Sequence, residues 1–167
     1  MSEKGHLNLL FVCTGNTCRS PMAQVLAERS LASAGWDDAN VRSAGVSAMP
    51  GSAASEGAIQ AAAENGLDLE GHRSSPVTED TVRWADLILT MGAHHLMAVE
   101  ALGGGGKTSM LLAFAEGRED GRGWGVPDPF AGDLEVYRDS FRVLEELVET
   151  AVAKLGYGLN TKTGNDT

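Results

Sequence analysis

The sequence predicts an α/β protein, a three-layer sandwich with a four-stranded parallel sheet flanked by helices, and three observations lead there. Apolar runs of strand length alternate with segments of helical period along the chain. The first run, Leu7-Asn8-Leu9-Leu10-Phe11-Val12, is nearly continuous, as in a central parallel strand buried on both faces. A loop of small and polar residues follows at once and leads into a helix. In open parallel sheets, ligands bind beyond the carboxyl ends of the strands, which makes this first loop the place to look for function.

Each element follows in order. From Arg19, the residues Ala23, Leu26, Ala27, Leu31 and Ala34 recur at helical spacing, with Pro21 in the first turn and Gly35 ending the pattern. Val41 to Ala44 reads as a second strand and Ala53 to Glu64 as an Ala-rich helix closed by Asn65-Gly66. A short helix is expected from Thr78, a third strand over Asp86–Met91, and a helix from Gly92 to Leu102. Gly103 to Gly106 reads as a flexible connector and Thr108 to Phe114 as the fourth strand. In the last helix Tyr137, Phe141, Leu144, Val148, Ala151 and Leu155 form one apolar stripe, too short for a coiled coil and therefore a core face. One domain is expected over residues 1–157, with a flexible tail over 158–167.

Composition narrows the function classes. The 167 residues carry a formal net charge of −10 without any Lys/Arg cluster, which argues against nucleic-acid binding. No apolar stretch approaches membrane-spanning length and no cleavable leader is recognised, so no membrane association is expected. The two cysteines, Cys13 and Cys18, are too few and too close for a disulfide scaffold, and a reducing cytoplasmic setting fits them. A monomer needing no cofactor and no metal is expected.

The loop itself reads Cys13-Thr14-Gly15-Asn16-Thr17-Cys18-Arg19-Ser20-Pro21, and every element suits a phosphate dianion. A loop curling into a helix N-terminus aims successive backbone N–H groups inward and adds partial positive charge. Gly15 and Asn16 tolerate left-handed backbone angles, so both are expected to supply them. Arg19 can offer a planar fork to two phosphate oxygens and tighten its grip as the transferring group flattens. Cys13, at the strand end under the same dipole, is placed to serve as a thiolate nucleophile. Thr14, Gly15, Asn16, Thr17, Cys18 and Ser20 make up the rest of this phosphate-binding loop.

Cys-x5-Arg-Ser-Pro with Gly-Asn inside the loop resembles the signature of the low-molecular-weight protein tyrosine phosphatases. The resemblance extends through Ser43-Ala44-Gly45, Gly71-His72-Arg73-Ser74, Ala85 to Met91 and Asp128-Pro129-Phe130 to the final helix, nearly the whole chain. It implies a protein phosphatase working through a phosphocysteine intermediate, with Asp128 as general acid toward the leaving atom and then as base toward water. It also implies that Phe130 walls the entrance and that Asn16, Ser20, Ser43 and His72 brace the loop. Typical tyrosine-directed members carry an aliphatic residue at the place of Thr17. Cys-Thr-Gly-Asn-Thr-Cys-Arg resembles instead the bacterial branch acting on phosphoarginine in proteins, so Thr17 is expected to select a guanidino group over a phenol, with phosphotyrosine as the alternative. Cys18 is the candidate redox partner, closing a reversible disulfide with Cys13.

Competing readings are weaker. A thioredoxin-coupled arsenate reductase of this fold needs further cysteines, and none follows Cys18. Gly106-Lys107-Thr108 ends like a nucleotide-binding loop, but it lies between a helix and a strand, the reverse of the required order. His94-His95 is dismissed as a metal site because adjacent histidines are expected to point apart. A noncatalytic phosphoprotein-binding module would use the same loop without needing Asp128.

Overall fold

A computed structural model describes residues 5–118 and 125–162, with side chains placed as far as residue 156. Four strands, β1 (Leu7–Cys13), β2 (Ala39–Gly45), β3 (Leu87–Thr90) and β4 (Thr108–Met110), pair in the order β2-β1-β3-β4. Every pairing is parallel, with Leu9 of β1 opposite Val41 on one side and Leu87 on the other. The α-helices are α1 (Arg19–Ser33), α2 (Glu56–Glu64), α3 (Glu79–Trp84), α4 (Ala93–Val99), α5 (Leu111–Glu116) and α6 (Leu134–Lys162), and a π-helical turn over Glu100–Gly104 continues α4.

The strand period of two builds the layers. Leu7, Leu9, Phe11 and Cys13 face a core shared with Leu26 and Leu31 of α1, Ala58 and Ala61 of α2, Leu111 of α5 and Phe141, Leu144 and Val148 of α6. Leu10 and Val12 point the other way, onto Val82, Ala85 and Val99 around α3 and α4. The sheet is thus covered on both faces, which explains the apolar run in β1. In the α6 stripe Tyr137, Phe141, Leu144, Val148 and Ala151 are buried and Leu155 packs at the edge, so the stripe is a core face.

Three sequence expectations change. The run Thr108–Phe114 is strand only to Met110, and from Leu111 the chain is helical. Leu111-Leu112-Ala113-Phe114-Ala115 is rich in helix formers without β-branched residues, and α5 packs against α6. The glycine connector is pinned rather than free. Gly104 is buried, and a Cβ there would lie 2.5 Å from a Val99 methyl. Lys107 Nζ donates to the carbonyls of Val82 and Ala85 at 2.5 and 2.7 Å, so this residue of the nucleotide-loop lookalike caps the C-terminus of α3. Finally, the backbone helix of α6 runs past Gly156 to Lys162, and residues 163–167 of the expected tail lie outside the described residues.

Phe141 lies on the inner face of α6 and is 1% exposed. Its replacement by Ala should cost about 3–5 kcal/mol. Urea unfolding should show a lower midpoint at an unchanged slope.

Candidate active site

In the order β2-β1-β3-β4 the chain leaves β1 toward β2 and later returns to β3 on the other side, so the connections diverge beyond the carboxyl end of β1. Cys13 ends β1, and residues 14–18 bridge to α1. Cys13, Thr14, Gly15, Thr17, Cys18, Arg19, Asp128 and Phe130 line one cavity of about 240 Å³. All three residues assigned to chemistry therefore line one cavity, although Asp128 is 115 positions along the chain from Cys13.

Helix α1 begins without a side-chain cap on Cys18 and without an acidic residue in its first turn. Its leading N–H groups face the loop with no side-chain acceptor, which is the state an anion completes. By contrast α3 is capped conventionally, with Thr78 Oγ1 accepting from Thr81 N.

The sulfur of Cys13 is a hydrogen-bond acceptor. Asn16 N donates to it at 3.3 Å, and Ser20 Oγ lies 2.9 Å away. Asn16 Nδ2 donates to that same Ser20 oxygen at 2.8 Å, which leaves the Ser20 hydroxyl hydrogen to point at the sulfur. Two donors on one sulfur suit a thiolate. Asn16 is fully buried at a φ of 58°. Gly15, also expected in the left-handed region, is not there, so one residue makes the turn. Gly15 lines the cavity, and its missing side chain leaves room for a ligand.

The bracing network extends further than the resemblance implied. Asn16 Nδ2 also donates to Ser43 Oγ at 2.9 Å, and Ser43 donates onward to Gln24 Oε1 at 2.7 Å. Asn16 Oδ1 accepts from Ser75 N at 2.9 Å. His72 Nε2 lies 2.7 Å from the Asn16 carbonyl, which can only accept, so the ring carries its proton on Nε2. Burial lowers the pKa of His72, opposed by that hydrogen bond, and the nearby Arg73 lowers it again. Gly45 completes the brace. A Cβ at this position would stand 2.5 Å from the Thr14 carbonyl oxygen, and Ser47 N donates to that oxygen at 2.9 Å.

Arg19 is 6% exposed and rises from α1 into the cavity wall. Its Nη1 donates to the Val126 carbonyl at 3.0 Å and its Nη2 lies 3.4 Å from Asp128 Oδ2. Its Nε is buried without a partner, a donor that a bound oxyanion would satisfy. The Asp128 segment is tied down by Val126 N, which donates to Met91 O at the end of β3. Asp128 Oδ1 accepts from Phe130 N at 3.0 Å, a local turn that holds the Asp carboxyl over the cavity and leaves the Phe130 ring 73% exposed at its rim.

Several contributors carry no sequence signal of their own. Cys18 Sγ meets Ser55 Oγ at 2.9 Å and Tyr137 Oη at 3.4 Å. Burial and the Cys18 contact push the Tyr137 phenol up to about 12, so it stays protonated. In the sequence Tyr137 reads only as a core position of the α6 stripe. The two histidines of α4 do not point apart as expected. Their ring centroids lie 3.8 Å apart with the planes tilted by 47°, and both approach Thr14 Oγ1, His95 Nε2 at 2.8 Å and His94 Nε2 at 3.5 Å. Among the described residues, no group of three or more His, Cys, Asp or Glu is placed to hold a metal, and no helix is long and apolar enough to cross a membrane.

Comparison with known proteins places this geometry. The family model described as low molecular weight phosphotyrosine protein phosphatase matches residues 8–162. A protein-arginine-phosphatase of Bacillus subtilis (strain 168) is 38% identical over 151 residues, 89% of this chain and 97% of the relative. Its counterpart from Geobacillus stearothermophilus is 40% identical over 149 residues, 88% and 95% of the two chains. A solved structure of the arginine phosphatase YwlE, a Cys-to-Ser mutant with a phosphorylated active-site serine, superposes at a TM-score of 0.82 with 37% identity, covering 90% of this chain and 96% of the other. With the signature loop, the parallel sheet and the match over almost its whole length in agreement, this chain belongs to the low-molecular-weight phosphotyrosine protein phosphatase family.

Proposed function

We propose that this protein hydrolyses phosphoarginine in proteins through a phosphocysteine intermediate. The observation that carries the phosphatase chemistry is a Cys13 sulfur under two donors in the same cavity as Arg19, whose Nε has no partner. Cys13 Sγ attacks phosphorus while Arg19 and the loop amides hold the phosphoryl oxygens. As the bond from phosphorus to the leaving atom breaks, that atom keeps the electron pair and takes a proton from the Asp128 carboxyl. Water then attacks the phosphocysteine and gives a proton to the Asp128 carboxylate. The S–P bond returns its pair to sulfur, and inorganic phosphate leaves.

Thr17 supports the arginine preference. It lines the cavity beside Cys13 and Asp128, its backbone carbonyl is held by Ser55 N, and its side chain is one carbon shorter than Ile. A branched guanidino group gains that space, and Asp128 can face its nitrogens. The relatives named for arginine dephosphorylation favour the same reading. Phosphotyrosine is the second reading, supported by the aromatic Phe130 at the rim, against which a phenol ring can lie. We take residues 1–157 to be one catalytic domain acting as a monomer in the cytoplasm, off membranes and nucleic acid. The net charge of −10 and the need of a catalytic thiol for reducing surroundings support this. Cys18, on the same cavity wall as Cys13, is the proposed disulfide partner when peroxide oxidises the two thiols.

Three measurements test these roles. Asp128→Asn should lower kcat about 100-fold or more, and turnover at the full rate would leave only a phosphoprotein-binding role or a different acid. Comparing kcat/KM on matched phosphoarginine and phosphotyrosine peptides should favour phosphoarginine, and Thr17→Ile should shift the ratio toward phosphotyrosine by about tenfold. After mild peroxide, mass spectrometry should find a Cys13–Cys18 bond; inactivation without it would remove Cys18 from this role.

A further inference from the structure

His95 lies on α4, beyond the end of β3, and reaches Thr14 from outside the Asn16 network. It is fully buried. Its Nε2 is 2.8 Å from Thr14 Oγ1, and its Nδ1 has no hydrogen-bond partner. An imidazole with an unpaired nitrogen costs more to bury than an apolar side chain of its size, so packing does not account for it. Buried N–H groups without acceptors are rarer than acceptors without donors. The proton therefore sits on Nε2 and is donated to Thr14 Oγ1, with the lone pair of Nδ1 left over. Thr14 lines the cavity, and the other acceptor near its hydroxyl, His94 Nε2 at 3.5 Å, lies at the outer limit of a hydrogen bond, so the Thr14 hydroxyl hydrogen is free to turn inward.

We propose that His95 is a positioning residue that directs the Thr14 hydroxyl into the cavity as a further donor to the transferring phosphoryl group. This rests on the phosphatase reading above. Thr14 is held at two points, its carbonyl by Ser47 N and its hydroxyl by His95, so the loop is gripped from the β3 side as well as from β2. The charged and titratable groups around His95 are His94 on its own helix, Arg19 on α1 and Asp128 over the cavity. Burial, then His94, then Arg19 push the imidazole down to about 4 against the pull of Asp128. His95 thus acts as a neutral donor at working pH and adds no titration of its own.

A double-mutant cycle decides this, using Thr14→Val, His95→Phe and the double variant, with His95→Gln supplying a replacement amide donor. Each single variant is expected to lower kcat/KM about tenfold, the scale of one lost hydrogen bond. The double variant should lose no more than either single one, and His95→Gln should recover most of the rate. Losses that multiply in the double variant, or a His95→Gln as poor as His95→Phe, would overturn the proposal. Two readouts do not require turnover. Inorganic phosphate affinity should follow the same non-additive pattern. Imidazole ¹⁵N spectra should show His95 neutral with its proton on Nε2 from pH 5.5 to 8, its signal moving in Thr14→Val; a ring titrating in that range, or indifferent to Thr14, would also overturn it. A parent protein that turns over no phosphopeptide, while phosphate affinity across the variants still follows this pattern, would sink the phosphatase reading and leave the His95–Thr14 pairing standing.

Discussion

Asn16 uses every polar atom it has. Its N–H meets the Cys13 sulfur, its carbonyl meets His72, its side-chain oxygen meets Ser75 N, and its side-chain nitrogen meets both Ser20 and Ser43. A buried asparagine is costly unless it is satisfied in this way, and a satisfied one fixes the geometry of everything it touches. The left-handed backbone at Asn16 is strain held in place by these five contacts. Cys13, the loop amides and Ser20 inherit their positions from it.

The brace makes β2 part of the site although β2 contributes nothing to the cavity wall. Ser43 receives the Asn16 amide, and Gly45 admits the Thr14 carbonyl where any side chain would collide. Parallel pairing of β1 with β2 sets this register, with Cys13 opposite Gly45 and Phe11 opposite Ser43. A slip of one residue would turn Ser43 away from Asn16 and place Ala44 opposite Cys13. Sheet register and catalytic geometry are therefore one constraint in this protein.

On the other side the site is closed by long-range contacts. Val126 docks on Met91 at the end of β3, and this carries Asp128 to Arg19 across the cavity from Cys13. Asp128 is about half exposed there, whereas the Arg19 side chain is nearly buried, in a poorly hydrated setting where a charge acts more strongly on a bound anion than it would in water. Tyr137 reaches Cys18 from α6, so the longest helix bears on the loop as well as on the core.

The chain by itself determined the order of elements, the two-sided burial of β1, the inner face of α6 and the loop from Cys13 to Ser20, because these depend on periodicity and on residues within one turn of each other. Local composition misled where neighbours decide the outcome. Leu111 to Ala115 is apolar enough for a strand, but its helix formers and the packing of α5 on α6 make it helix. Gly103 to Gly106 looks loose, and only Val99 and the C-terminus of α3 show it pinned. Asn16 was legible as a loop residue, but its five partners lie as far as 59 positions away in Ser75. The pair His94-His95 looked inert because side-chain direction is not written in spacing, and what sets it is the fold bringing α4 against Thr14. Hydrogen bonds act over about 3 Å, and no local pattern records which distant residues a parallel sheet will bring that close.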